Sequence, residues 1–196
     1  MGNSRKSGIL GKRFEGAFVF AAQSHSSQKK KGTEVPYMAH LMAVASLVLE
    51  DGGDEDQAIA ALLHDSVEDQ DVEPEELELR FGKRVRDIVV ACTDAFENPK
   101  PEWRPRKEKY LAHLREAPPD VLRVSASDKL HNARQILGDY RVLGEKVFER
   151  FKGKRDGTLW YYRSLVEILK ERKPGPLTDE LRHVVAELEK LASANG

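Results

Sequence analysis

Apolar positions recur at helical spacing along almost the whole chain. Phe14, Ala17, Phe18 and Ala21 fall on one face and predict a first amphipathic helix running towards His25. A polar, basic loop from Ser26 to Val35 follows, and Pro36 suits the first turn of a second helix carrying Tyr37, His40, Leu41, Val44, Ala45 and Val48. Asp51-Gly52-Gly53-Asp54 breaks that helix and offers Asp54 as the cap of a third, roughly Glu55 to Glu68. The third helix is apolar nearly all round between Ala58 and Leu63, the pattern of a helix at the centre of a core.

Beyond it, Pro74 to Leu77 starts a short helix. Gly82 separates this from another bearing Val85, Ile88 and Val89. The segment Glu97 to Arg106, with Pro99, Pro101 and Pro105, reads as a loop and a candidate lid. Helix resumes over Lys107 to Glu116, breaks at Pro118-Pro119, and continues from Val121 to Leu137. Trp160, Tyr161, Leu165, Ile168 and Leu169 mark an aromatic-rich helix, and Leu177 to Leu191 a last amphipathic one. No strand-like alternation competes. The expectation is an all-α fold of about eight to ten helices in one domain over residues 1–196, with a motif core near 14–137 and packing helices near 139–193.

Composition narrows the picture. The 32 basic and 33 acidic residues leave a net charge of -1, so no global field draws the chain to nucleic acid or to an anionic membrane. Any anion site must be a local cluster. The single cysteine, Cys92, lies in an apolar run and reads as a small buried residue, and it excludes an internal disulfide. The polar start, Met1 to Ser7, and the lack of a long apolar run make the cytoplasm the expected compartment.

The candidate chemistry begins at His64-Asp65-Ser66-Val67-Glu68-Asp69. On one continuous helix, His64 lies over Glu68 and Asp65 over Asp69. Three carboxylates and an imidazole carried to the end of a buried helix repel one another, and a divalent cation removes that cost. His40 faces inward on the second helix, and Asp128 sits in a mostly apolar helix with Lys129 expected to point elsewhere. Together His40, His64, Asp65 and Asp128 offer two nitrogen and two oxygen ligands, a set suited to manganese, iron or zinc over calcium. Lys29, Lys30 and Lys31 can neutralise phosphate charge, and Asn132, one turn after Asp128, can reach ribose or phosphate. His113 and His183 lie among charges and read as solvated, while Trp160, Tyr161 and Tyr162 read as packing residues.

The order His40, His64-Asp65, Asp128 resembles the HD superfamily of metal phosphohydrolases. More narrowly, the chain is similar to the hydrolase domain of the RelA/SpoT enzymes and to their single-domain relatives, the small alarmone hydrolases. The matching pieces are Ala22 to His25 with Gln28 and the lysines, Pro36-Tyr37 to His40, Ala61 to Asp65 with Val67 to Asp69, Phe81-Gly82, and Asp128 to Asn132. The resemblance implies Mn2+ on His40, His64, Asp65 and Asp128, with Glu68 and Asp69 positioning and deprotonating the attacking water. It implies a small-molecule substrate, a nucleotide with a 3′-pyrophosphate, and favours Lys30 and Lys31 as its contacts. His25 reads as a structural residue, His131 as a neighbour of the ligands, and Trp160 or Tyr161 as a candidate aromatic near the nucleotide.

Four positions depart from the family pattern: Leu41 stands where Pro is usual, the basic loop is one residue longer and carries Lys for Arg, Ser125 replaces a Lys, and Gln70 replaces a Thr. These lie around the substrate, so guanosine and adenosine alarmones and the 2′-phosphate of NADPH all stay open. So do a broader nucleotide phosphatase releasing orthophosphate and a non-catalytic nucleotide sensor. The late aromatic helix also leaves room for an oligomer interface.

Overall fold

The computed structural model describes residues 10–96 and 99–194, and places in them ten α-helices and one 3-10 helix, with a lone bridge between Lys29 and Pro36 as the only extended pairing among the described residues. The helices are α1 (Lys12–Ser24), α2 (Met38–Glu50), α3 (Glu55–Leu63), α4 (Ser66–Gln70), α5 (Pro74–Phe81) and α6 (Lys83–Cys92). They continue with α7 (Trp103–Glu116), α8 (Pro119–Leu143), the 3-10 segment η1 (Gly144–Arg150), α9 (Lys154–Arg172) and α10 (Pro176–Ala194). The all-α expectation holds. Met1 to Ser7 and the Glu97-Asn98 start of the expected loop lie outside the described residues.

The centre is α3. Every residue from Gln57 to Leu63 is buried, and α3 packs against α1, α2, α6 and α8 at once. A helix apolar on all sides finds cover only where neighbours surround it. Asp54 caps it reciprocally, its carboxylate accepting from the Gln57 amide at 3.0 Å while the Gln57 side chain accepts from the Asp54 amide at 3.0 Å. The long α8 lies across α2, α6 and α10, so Asp128 at its middle faces the end of α3.

Besides α8, which runs from Pro119 to Leu143 and so outlasts the expected Val121 to Leu137 at both ends, three features differ from the sequence expectation. The third helix is not continuous to Glu68: it kinks at Asp65 (φ -102°, ψ 2°), and a short α4 follows. The kink re-aims Glu68 and Asp69 relative to His64. Second, α7 starts at Trp103, not Lys107, and so takes in Pro105. A proline in the first turn removes an amide that has no helical acceptor in any case. Third, the buried face of α1 is Ala17 and Ala21, while Phe18 is largely exposed. The small residues let α1 approach α3 closely.

Candidate active site

His40, His64, Asp65 and Asp128 arrive from α2, the end of α3, the kink and α8. The His40 and His64 Nε2 atoms stand 3.3 Å apart. Asp128 Oδ1 is 3.3 Å from His40 Nε2 and 3.7 Å from His64 Nε2. Asp65 Oδ2 is 3.1 Å from His64 Nε2 and 3.8 Å from His40 Nε2. Ligands about 2.1 Å from a common ion lie about 3.0 Å apart at right angles and about 3.4 Å apart at tetrahedral angles. The observed separations run from 3.1 to 3.8 Å, from just above the right-angle value to somewhat above the tetrahedral one, so each carboxylate lies close to both imidazole nitrogens.

Each imidazole is held so that Nε2 faces the two carboxylates. His64 Nδ1 donates to the Ala61 carbonyl at 2.8 Å, which fixes the proton on Nδ1. His40 Nδ1 lies 2.7 Å from His131 Nδ1. Burial, with His40 and Lys30 nearby, lowers the His131 pKa to about 4; with His40 Nε2 turned to the carboxylates, the tautomer that protonates His40 Nδ1 makes His131 Nδ1 the acceptor. Asp65 Oδ2 accepts from the Tyr37 hydroxyl. Burial works against the Asp128 carboxylate, yet Lys129, His40 and His64 outweigh it and hold its pKa well below the usual range. Burial likewise opposes charge on His64, but Asp65 and Asp128 prevail and raise its pKa well above the usual one. The two carboxylates thus favour positive charge beside the two imidazoles. This nitrogen and oxygen set fits a divalent transition metal; His40, His64 and Asp65 by themselves meet the spacing of a metal cluster.

Glu68 and Asp69 stand beside this cluster. Glu68 Oε1 accepts from Lys100 Nζ at 2.7 Å and Oε2 from the Asp94 amide at 3.1 Å. Asp69 accepts from Lys100 at 3.2 Å and from the Gln28 amide group at 3.0 Å. His25, only 2% exposed, holds Gln28 from the other side at 2.5 Å and stacks on Tyr37. His25 is therefore structural, as expected.

A cavity of about 550 Å³ adjoins the cluster at His40 and Glu68, lined by eight basic side chains and two acidic ones. Lys30 and Lys31 both line it; Lys29 does not and pairs with Glu34 on the surface. Asn132 also lines it, while its Nδ2 donates to Asp128 Oδ1 at 2.5 Å, so it orients the carboxylate as well as facing the cavity. Lys129 was expected to point elsewhere. Instead it donates to Asp128 Oδ2 at 2.5 Å, because α8 is enclosed on that side and a buried ammonium takes the one carboxylate in reach. Tyr161 and Tyr162 are buried and line the cavity, whereas Trp160 carries Arg104 on its ring, 3.4 Å from the centroid. The aromatic face of α9 thus looks inward. His113 and His183 are exposed.

Sequence reasoning missed Tyr37 as the Asp65 donor, and it missed Lys100, Trp103, Arg106 and Lys107 as cavity residues. The only local hint was the proline-rich stretch that they occupy or border. Lys100 and Arg106 both reach Glu68, long-range contacts that no spacing encodes.

The HD domain family model matches residues 17–159. The chain is 41% identical over 120 residues to a guanosine-3′,5′-bis(diphosphate) 3′-pyrophosphohydrolase MESH1 of Xenopus tropicalis and 38% identical to that of Homo sapiens. Each alignment covers 60% of this chain and 65% of the relative, just under two thirds of its length. The structure superposes on that of a metazoan SpoT ortholog that hydrolyses ppGpp, with a TM-score of 0.70, 25% identity, and coverage of 94% of this chain and 96% of the other. It also matches a Listeria monocytogenes protein, with a TM-score of 0.69, 26% identity, and coverage of 77% and 99%.

Proposed function

Because the chain belongs to the HD domain family, we propose that it hydrolyses the 3′-pyrophosphate of an alarmone nucleotide, (p)ppGpp or (p)ppApp, releasing pyrophosphate and the parent nucleotide. The observation that carries this reading is the pairing of a four-residue ligand cluster with a cavity of strongly basic lining. A 550 Å³ space of this charge suits a nucleotide with several phosphates. The relatives named for this activity share the motif region.

In this reading His40, His64, Asp65 and Asp128 hold Mn2+. Such an ion polarises a phosphoryl oxygen and acidifies water. Glu68, with Oε1 and Oε2 both held by donors, is the group that takes the proton from the attacking water. Asp69 orients that water together with Gln28. Lys30, Lys31 and Asn132 contact the substrate along the cavity wall, and Tyr37 keeps Asp65 in its ligating rotamer. Among the described residues no helix is long and apolar enough to cross a membrane. A cytoplasmic setting, where Cys92 stays a free thiol, completes the proposal.

The test is product analysis of manganese-loaded protein incubated with guanosine and adenosine 3′-diphosphate nucleotides, with NADPH alongside. Pyrophosphate release that stops on adding chelator is the expected result, and it sets the base preference. Orthophosphate from NADPH with no pyrophosphate from either alarmone would replace this reading with a broader phosphatase.

A further inference from the structure

The side of the cavity built by α7 and α9 holds more than catalysis at one phosphate requires. Arg106 Nη1 and Lys107 Nζ both bind Asp94 Oδ2, the former at 2.5 Å, so one carboxylate serves two cations. Lys100 on Glu68 and Lys129 on Asp128 bring two more ammonium groups to the same wall. Lys107 and Lys129 repel each other, and burial adds to the cost of the Lys107 charge. Two polar atoms on residues lining this side are buried without a hydrogen-bond partner, Arg106 Nε and the Tyr161 hydroxyl. Buried donors of this kind ordinarily find an acceptor. Both are donors, and a phosphate oxygen is an acceptor.

The wall is also closed. Trp103 lies so tightly on α9 that a Cβ added to Gly153 would stand 2.6 Å from its ring, and one on Gly157 3.0 Å away. This packing fixes the start of α7, the helix that carries Arg106 and Lys107. This side of the cavity is cationic beside Glu68, which Lys100 and Arg106 both approach.

We infer that Lys107, with Arg106 and the Tyr161 hydroxyl, receives the distal phosphate of a diphosphate group whose proximal phosphate reacts beside His40, His64, Asp65 and Asp128. The inference rests on the function proposed above for which phosphate reacts, and it names the residues that select a diphosphate ester over a monophosphate ester. In the step it serves, the water oxygen bonds to the proximal phosphorus while Glu68 takes the proton. The bond to the 3′ oxygen breaks, and that oxygen leaves with the electron pair and gains a proton. The bridge between the two phosphates stays intact, so pyrophosphate departs whole.

Lys107 is the residue to change, because Arg106 still holds Asp94 when it is gone. Calorimetric titration of the manganese-loaded protein with inorganic pyrophosphate and with orthophosphate is the first experiment. Lys107→Met should weaken pyrophosphate binding by about tenfold and orthophosphate binding by less than about twofold, as expected for one lost charge-assisted hydrogen bond. Lys107→Arg, which keeps the charge, should restore most of the difference and exclude a folding defect. Equal weakening of both anions, or of neither, overturns the subsite. Turnover separates this inference from the reading beneath it. Wild-type protein that shows the Lys107-dependent preference but leaves 3′-diphosphate nucleotides intact keeps the subsite and loses the proposed activity. Protein that releases pyrophosphate with the same kcat/KM in wild type and Lys107→Met keeps the activity and loses the subsite.

Discussion

The ligand cluster and the basic wall of the cavity face each other and are built by opposite means. Three of the four candidate ligands, His40, His64 and Asp128, are at most 6% exposed, and Asp65 takes a hydrogen bond from the Tyr37 hydroxyl. Other protein groups fix their orientation: the Ala61 carbonyl, the His131 ring and Asn132. Away from the largely enclosed Arg106, Lys107 and Lys129 and the buried Tyr161, the wall uses partly exposed side chains from the loop before α2, from the segment before α7, and from η1, with Lys31 and Lys152 open to solvent. A buried cluster must be satisfied internally before any ligand arrives, since each unpaired group there is costly. A solvated wall escapes that demand and can change residue by residue. All four departures from the family pattern lie outside the ligand set, and one of them lengthens the basic loop.

This contrast predicts a graded series of effects. Asp65→Ala removes a ligand and leaves His64 facing an unbalanced Asp128. Manganese measured by elemental analysis after gel filtration should fall to background, and turnover should vanish with it. Retained metal would take Asp65 out of the ligand set. Next in size is Glu68→Gln, which keeps the shape but not the base. Turnover should drop by about 10²–10⁴-fold at unchanged manganese content, and near-normal turnover would assign the proton to another group.

His131→Phe keeps the ring volume and removes the acceptor of the His40 Nδ1 proton. Manganese affinity, read by competition with a chelating dye, should weaken by about 10–100-fold, with activity recovered at high metal. Failure of excess manganese to restore turnover would mean that His131 does more than hold His40. The smallest effect belongs to the wall. Lys31→Ala should raise KM by no more than about fivefold, the equivalent of about 1 kcal/mol for an exposed charge, and the change should shrink as salt is added. A loss in kcat instead would show that the wall is not a passive binder and would narrow the contrast between the two regions.

That His40, His64, Asp65 and Asp128 are inward-facing was legible in the sequence because each sits in a local pattern: His40 on the apolar side of its helix, His64-Asp65 at the end of an apolar run, and Asp128 within another. Glu68 and Asp69 were legible by adjacency, but their placement was not. The expected straight helix puts them over His64 and Asp65, whereas the kink at Asp65 sends them to Lys100, Gln28 and the Asp94 amide. Lys129 was misplaced for a related reason. Helical spacing gives the direction of a side chain around its own axis and says nothing about which neighbour encloses it.

The chain's hydrophobic periodicity and its capping residues determined that it is all-helical and that α3 is central. Those properties follow from interactions within a few turns of helix, where spacing is geometry. The tertiary structure alone decided which cations line the cavity, which base pairs with which lysine, and that Trp103 closes one side against Gly153 and Gly157. Contacts between segments some 30 to 50 residues apart depend on how whole helices pack, and local sequence holds no record of that register.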